Sequence, residues 1–524
     1  MRLAPLPASL PRWPAAAFPT GLSSATAALR TRLQERLGPD GALRDPCRSR
    51  VLESALLLVL LDRTRLEPAA RARLAGYLDA HRDSREPLDR LLARAALAGR
   101  PVQADLLDVD RFIALAPDFT GQRKRALLQA VLVLLGDAPQ PVPPAPQAFS
   151  LHGLHSWARV QVTAVKAILA HAHQATDQIT APEVELLRST QRAGRVWEGN
   201  LLIHLSVLHA LAPLPGGHRL VAEGIRTALA HQRADGGIPF ICDEDTWVTA
   251  TAGLALHAAG AERPVLDLVA RRLRHLQHDG GGWSYTEHAQ LTDVDCTSAA
   301  IELLHLAGPQ AHRRPIHRAV SALLDLRAPD GGFPTYLAAA PSEACMTAAA
   351  ANALSTQGPG RRPAVDQALE FLATQQHPDG SFPPDWSSSR HQTVFRAVLA
   401  ASRAPGPREG PAHSITRRAI ALTLDSQNPD GGWGRQDGDP SDALSTAYAL
   451  ITLTAHHDSA PAGRGAAHLL AQQRPDGSIA GIPDCVGPRP FGFNVPVLTD
   501  IFSLLALGHL SARLTPAPLE AQRT

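Results

Sequence analysis

The feature that most limits what this chain can become is a turn that returns six times at a nearly constant interval. Each copy has the form Gln-x-x-x-Gly-x-(apolar or aromatic), with Arg327 standing in the Gln place of the third. The copies are QRADGGI (232–238), QHDGGGW (277–283), RAPDGGF (327–333), QHPDGSF (376–382), QNPDGGW (427–433) and QRPDGSI (473–479). Their glycines, Gly236, Gly281, Gly331, Gly380, Gly431 and Gly477, lie 45 to 51 residues apart, which leaves room for one helical hairpin between turns. Six such hairpins are expected to close a ring. Pro-Asp-Gly and Asp-Gly-Gly set a tight turn with a positive φ that glycine adopts at little cost. The Trp or Phe that follows is expected to pack back between helices, and the Gln to bond the backbone of the next turn. These motifs are structural staples and carry no catalytic weight.

The rest of the chain is helical in pattern, and β-branched alternation never persists between turn clusters. Residues 23–37 form a short helix that belongs to a domain completed much later. From Gly41 to about 190 a set of closely spaced apolar helices follows, broken by the Pro-rich PQPVPPAPQ. The expected division is 1–40 as an arm and helix completing the later domain, 41–195 as an inserted helical domain, and 196–524 as the barrel. A length of 524 residues suits two such domains.

The net charge of +2 gives no electrostatic case for nucleic acid or an anionic membrane face. The five cysteines are scattered and odd in number, which argues against a disulfide framework or a structural zinc site and suits a reducing cytoplasm. The N-terminus lacks the continuous apolar core of a secretory signal. No run approaches the ~18 apolar residues of a spanning helix, so the chain is soluble or at most rests on a membrane surface. The histidine pairs His152/His155 and His171/His173 lack a third ligand, and no transition metal is expected. No Walker loop, dinucleotide fingerprint or nucleophile elbow is present.

Three Asp-x-Asp units compete for chemistry. Asp108-Val109-Asp110 has no repeat beside it and reads as a solvated cap. Asp243-Glu244-Asp245 opens the helix TWVTATAGLAL, the ordinary place for an N-cap acid. Asp293-Val294-Asp295-Cys296-Thr297 follows the second repeat and opens the apolar helix TSAAIELL. A helix N-terminus favours a carboxylate anion, the wrong direction for an acid that must stay protonated. Desolvation beside a second carboxylate works the other way, because close like charges retain a shared proton.

The motif and the repeats together resemble the protonation-initiated (class II) terpene cyclases, whose Asp-x-Asp-Asp-Thr signature this chain follows except for Cys296 at the fourth position. The turns resemble the QW repeats of triterpene cyclases. The resemblance implies an all-α, two-domain βγ architecture of α/α barrels, with Asp295 as the acid and Asp293, Cys296 and Thr297 completing its motif. An isolated alkene is a weak base, so the acid must be neutral, aimed at the double bond and shielded from water. The segments VWEGNLLIHLSVLHAL (196–211), PDGGFPTYLAAAPSEACMTAAAANAL (329–354), PPDWSSSRHQT (383–393) and GPRPFGFNVPVLTDIFSLLAL (487–507) look like parts of bacterial class II diterpene cyclases.

That family sets the further expectations. Tyr285, Tyr336 and Trp386 are candidate cavity aromatics, since ring faces stabilise carbocations by ~0.5–2 kcal/mol each. Arg48, Arg50 and the cluster Arg123-Lys124-Arg125 are candidates for a diphosphate between the domains, and Glu53 for Mg²⁺ held through water, Mg²⁺ assisting diphosphate binding. The expected reaction is cyclisation of geranylgeranyl diphosphate to a bicyclic labdane-, halimadane- or clerodane-type diphosphate. The Asp-rich metal motif of ionisation-initiated synthases is not evident, so the product should keep its diphosphate. Farnesyl diphosphate, giving a drimane, is the alternative within the class. A protein prenyltransferase β-subunit, which needs zinc and a partner subunit, or a non-catalytic barrel that binds ligand are the alternatives outside it. The expected protein is a monomer or homodimer.

Overall fold

The structure, a computed structural model, describes residues 11–99, 112–114, 120–136, 146–404 and 410–514, and these are mostly helical. In chain order come α1 (Leu22–Glu35), α2 (Val51–Thr64), α3 (Pro68–Ala80), α4 (Pro87–Ala98), α5 (Gly121–Leu134), α6 (Ser156–Ala172), α7 (Ala181–Ser189), α8 (Leu201–Leu211) and α9 (His218–Leu229). Then follow α10 (Asp245–Ala258), α11 (Arg263–Leu276), α12 (Val294–Ala307), α13 (Arg313–Asp325), α14 (Ala344–Ser355), α15 (Arg362–Gln375), α16 (His391–Arg403), α17 (Pro411–Asp425), α18 (Ala443–Leu453) and α19 (Ala460–Ala471). A small hairpin of β1 (Cys485–Val486) and β2 (Gly492–Phe493) precedes α20 (Val497–Arg513). Among the described residues no helix is long and apolar enough to cross a membrane.

The chain divides into two units. One takes Met1–Asp45, Glu244–Cys485 and Val495–Thr524; the other takes Pro46–Asp243 and Val486–Asn494. The expected border at 195/196 therefore moves to 243/244, and α8 and α9 belong to the inserted unit. The reason lies in their packing, since α8 rests on α2 and α6, and α9 on α8 and α2.

In the first unit, α10, α12, α14, α16, α18 and α20 each pack on the next, and α20 packs back on α10. This closed inner ring is backed by α11, α13, α15, α17, α19 and α1, each against its own inner helix, with α1 against α20. The short helix near the N-terminus thus completes the ring, as its pattern suggested. Outer helices are amphipathic. In α11 only Leu266, Val269, Ala270 and Leu273 are buried, a 3–4 spacing that turns one stripe inward. Inner helices are buried nearly all round: every residue of α14 but Ser355, and every residue of α18, is buried.

The turns hold this arrangement by repeated bonds. Gln277 Nε2 donates to Gly281 O of its own turn (2.8 Å) and to Pro315 O at the start of α13 (2.9 Å). Gln427 does the same with Gly431 O and Pro461 O, at 2.8 and 2.9 Å. The Gln therefore stitches its turn to the next outer helix, where the sequence had suggested the next turn. Gly281 has φ of 95°, and a Cβ there would lie 2.6 Å from Arg318 O. Trp283 and Trp433 are fully buried, and their indole N–H groups donate to Leu273 O and Thr423 O at 2.8 and 2.7 Å.

One of the six sequence turns is not in the ring. The turn 232–238 lies in the inserted unit, and the ring is completed by a turn without the Gln, LGPDGAL (37–43). Gly41 has φ of 84°, and a Cβ there would lie 2.4 Å from Leu268 O. Leu43 N donates to Thr249 Oγ1 of α10 (2.9 Å), while Ile238 N donates to Ser54 Oγ of α2 (3.0 Å). The chain leaves each unit just after a turn, and the hydroxyl serving that turn comes from a helix about two hundred residues away.

Candidate active site

Each inner helix of the ring follows a turn, so the N-terminal ends of all six share one end of the ring. There the chemistry-bearing side chains meet. Asp293 is the N-cap of α12 and accepts a hydrogen bond from Cys296 N at 2.7 Å. Burial pushes its carboxyl up to about 7, against the hydrogen bonds from Cys296 and with help from Asp295. The Cys296 thiol is also buried, far above its ordinary value, and also bonds Asp293.

Asp295 sits two residues further on, and its side chain keeps 20% exposure. Its partner is one that sequence reasoning missed. Arg396 of α16 clasps it with both guanidinium nitrogens, Nη1 to Oδ1 at 2.8 Å and Nη2 to Oδ2 at 3.1 Å. Arg396 is buried, and its Nη1 also reaches Cys345 Sγ of α14 at 3.4 Å. Burial works against its charge, but Asp295, Cys345 and Asp385 outweigh that and push its ionisation higher. A lone arginine within the apolar run TVFRAVLAA was the available signal. The same two helices pair again seven residues on, Glu302 with Arg403.

Thr297 has another role from the one its motif implied. Its Oγ1 accepts from Trp283 N at 3.1 Å, as Thr347 does from Phe333 N (2.9 Å) and Thr446 from Trp433 N (3.0 Å). It serves as a turn clamp that three hairpins repeat.

Of the aromatic candidates, Tyr336 and Trp386 are brought together edge to face at 6.2 Å, both partly exposed. Tyr285 lies at the start of α10, where its carbonyl accepts from Thr246 N (3.1 Å). A second aromatic group was not foreseen. Phe395 stacks on Tyr448 at 5.1 Å, Phe502 meets Tyr448 edge-on at 5.0 Å, and Trp247 lies 6.2 Å from Phe502. These four rings come from α16, α18, α20 and α10 and are buried. Their shared depth follows from ring closure, which no local pattern encodes.

Of the competing acid units, Asp243-Glu244-Asp245 heads the neighbouring inner helix, and Glu244 is close enough to Cys296 to act on its thiol. Glu244, not Asp243, takes the N-cap position of α10, and its side chain makes no capping bond. Asp245 is 3.8 Å from Arg44. Asp108 and Asp110 lie outside the described residues.

In the inserted unit, the expectations for Arg50 and Glu53 are overturned. The two form a buried ion pair, Arg50 Nε to Glu53 Oε2 at 2.7 Å with a second bond to Oε1, and Glu53 is 0% exposed. Arg50 also donates to Gly487 O (2.7 Å) and lies 4.2 Å over the Phe240 ring. Both carboxylate oxygens being taken, Glu53 does not fit Mg²⁺. Arg48 and Arg50 precede α2, which begins at Val51. Arg48 and Arg125 are exposed. Lys124 is lowered to about 7 by burial and by Arg489, Arg123 and Arg50, which lie close enough to repel its charge. His155 caps α6 through Nδ1, accepting from Ala158 N.

A ring of six helical hairpins with a second helical unit inserted after its first helix, and an acid pair at the head of one inner helix, is the build of a class II terpene cyclase. The sequence matches the squalene-hopene cyclase C-terminal domain over residues 337–512 and the prenyltransferase alpha-alpha toroid domain over 255–403. It is 40% identical over 501 residues to drimenyl diphosphate synthase of Streptantibioticus cattleyicolor, covering 92% of this chain and 93% of that protein. A second drimenyl diphosphate synthase, from Streptomyces showdoensis, is 38% identical over 526 residues, covering 96% and 98%. The fold is also that of ent-copalyl diphosphate synthase from Streptomyces platensis, with a TM-score of 0.60 at 19% identity over 94% of this chain and 100% of that one. The chain belongs to the class II terpene cyclases, and it is an enzyme of that class.

Proposed function

We propose that this enzyme cyclises farnesyl diphosphate to a bicyclic drimane-type diphosphate, with Asp295 as the acid. The carrying observation is the placement of Asp295: a partly exposed carboxyl at the shared end of the inner helices, oriented by two bonds from Arg396. The fifteen-carbon substrate is favoured over geranylgeranyl diphosphate by the full-length likeness to two drimenyl diphosphate synthases.

In this reading, Asp295 carries a proton when substrate binds and gives it to the terminal alkene. The new C–H bond takes the alkene electron pair and leaves a tertiary cation. The remaining double bonds attack in turn, forming two rings, and loss of a proton from the last cation regenerates an alkene. The carbon–oxygen bond to the diphosphate is untouched. Arg396 stays charged and balances the Asp295 carboxylate left behind. Of the aromatic residues, Tyr336 and Trp386 have exposed ring surface for a cation, while the Phe395 group forms the dry floor that excludes water. Within the inserted unit, Lys124, Arg123 and Arg489 lie near one another and are the cations proposed to receive an anionic group together.

The test is incubation of the wild type and Asp295→Ala with farnesyl and geranylgeranyl diphosphates, with Mg²⁺, followed by dephosphorylation and gas chromatography–mass spectrometry. A C15 bicyclic alcohol from wild type alone is expected. Only linear alcohols from both substrates would sink the assignment, and a C20 bicyclic product would return the substrate to geranylgeranyl diphosphate.

A further inference from the structure

A second carboxylate acts electrostatically on the guanidinium that holds the acid. Asp385 lies on the segment before α16, next to Trp386, and is half-buried. Its Oδ1 accepts from Ser387 N at 2.8 Å, and its Oδ2 accepts from the Thr393 hydroxyl. Thr393 bonds the Cys345 thiol in turn, and Cys345 is 3.4 Å from Arg396 Nη1. A continuous series of contacts thus joins Asp385 through Thr393, Cys345 and Arg396 to Asp295. Arg396 feels both carboxylates.

We propose that Asp385 is the base that takes the proton from the last carbocation, an assignment that rests on the reading of Asp295 as the acid. Donors on both oxygens hold Asp385 as an acceptor, the state a base needs. Charge balance gives the second argument. Before reaction, a neutral Asp295, an Asp385 anion and Arg396 sum to zero. After proton delivery, two carboxylates and one guanidinium face a substrate cation. When the C–H bond beside that cation breaks, its electron pair becomes the new C=C bond and the proton passes to an Asp385 oxygen. The cluster then returns to zero, with the proton on Asp385 in place of Asp295. Proton exchange with water at the partly exposed carboxyls restores the starting state. Fixation by Ser387 and Thr393 also decides which neighbouring C–H is reached, since a tertiary cation flanked by methyl, methylene and methine groups can close to different alkenes.

Product analysis of Asp385→Asn beside wild type and Asp295→Asn separates these roles. Asp385→Asn is expected to turn over about a hundredfold more slowly, still cyclise, and shift its products toward other alkene isomers and a water-captured alcohol. Asp385→Glu is expected to change the isomer ratio less, and serves with the same criterion should the Asn variant not accumulate as folded protein. An unchanged isomer ratio in the folded variant, however slow, overturns the proposal while leaving Asp295 as the acid. Cyclic product from Asp295→Asn, or none from wild type, overturns the underlying reading and this one with it.

Discussion

At the scale of single residues, the Asp295–Arg396 pair is where position and charge are decided together. Removing only the cation leaves a carboxylate in a mostly dry place, so Arg396→Met is expected to lower stability by about 3 kcal/mol. The double variant Asp295→Asn/Arg396→Met should recover much of this in urea unfolding; equal loss in both would mean that the clasp adds nothing. Asp293 makes a different prediction. Its folded carboxyl lies at about 7 against 3.8 for the ordinary group, so the folded state holds the extra proton between those values. Stability from this group is therefore full below about 4 and is lost as pH rises through about 7. Asp293→Asn keeps an N-cap acceptor and should flatten the fall in melting temperature between pH 4 and 7. The acid pair itself was legible in the sequence because a helix start and an Asp-x-Asp spacing are local. Its cation was not, because Arg396 lies 101 residues away.

At the scale of elements, the repeat explains more than the motif does. Thr297, Thr347 and Thr446 make one bond in three hairpins, so Thr297→Val should cost about 1 kcal/mol and leave the product unchanged. A changed product ratio would restore Thr297 to the chemistry. Trp283, buried and bonded to Leu273 O, should cost about 3–5 kcal/mol on replacement by Ala, read by thermal unfolding. The turns were legible because Gly, Asp and Gln each do a local job there. The Tyr448 and Phe502 pairing was not, since it depends on which inner helix follows which around the ring.

Across the whole molecule, the unexpected feature is how the two units share one chain. The ring takes its sixth turn from residues 37–43, which lack the Gln of the others, and the inserted unit keeps a turn that has it. Gly41→Ala should therefore destabilise the ring as Gly431→Ala does, because Cβ atoms there would approach Leu268 O and Arg464 O at 2.4 and 2.8 Å. A neutral Gly41→Ala in thermal unfolding would remove residues 37–43 from the set of staples. The sequence placed the domain border one turn too early because it counted every Gln-containing turn as part of the barrel.

What the sequence by itself determined were the features that neighbours in the chain create. The repeat period, the turn chemistry, the helical class and the helix start bearing two carboxylates all follow from side chains a few residues apart. Only the tertiary structure decided which turn belongs to which unit, that Glu53 is spent on Arg50, and that Arg396 clasps the acid while Asp385 acts on the same guanidinium. Those outcomes depend on helices that meet only when the ring closes, and closure brings residues one hundred to two hundred positions apart into hydrogen-bond contact.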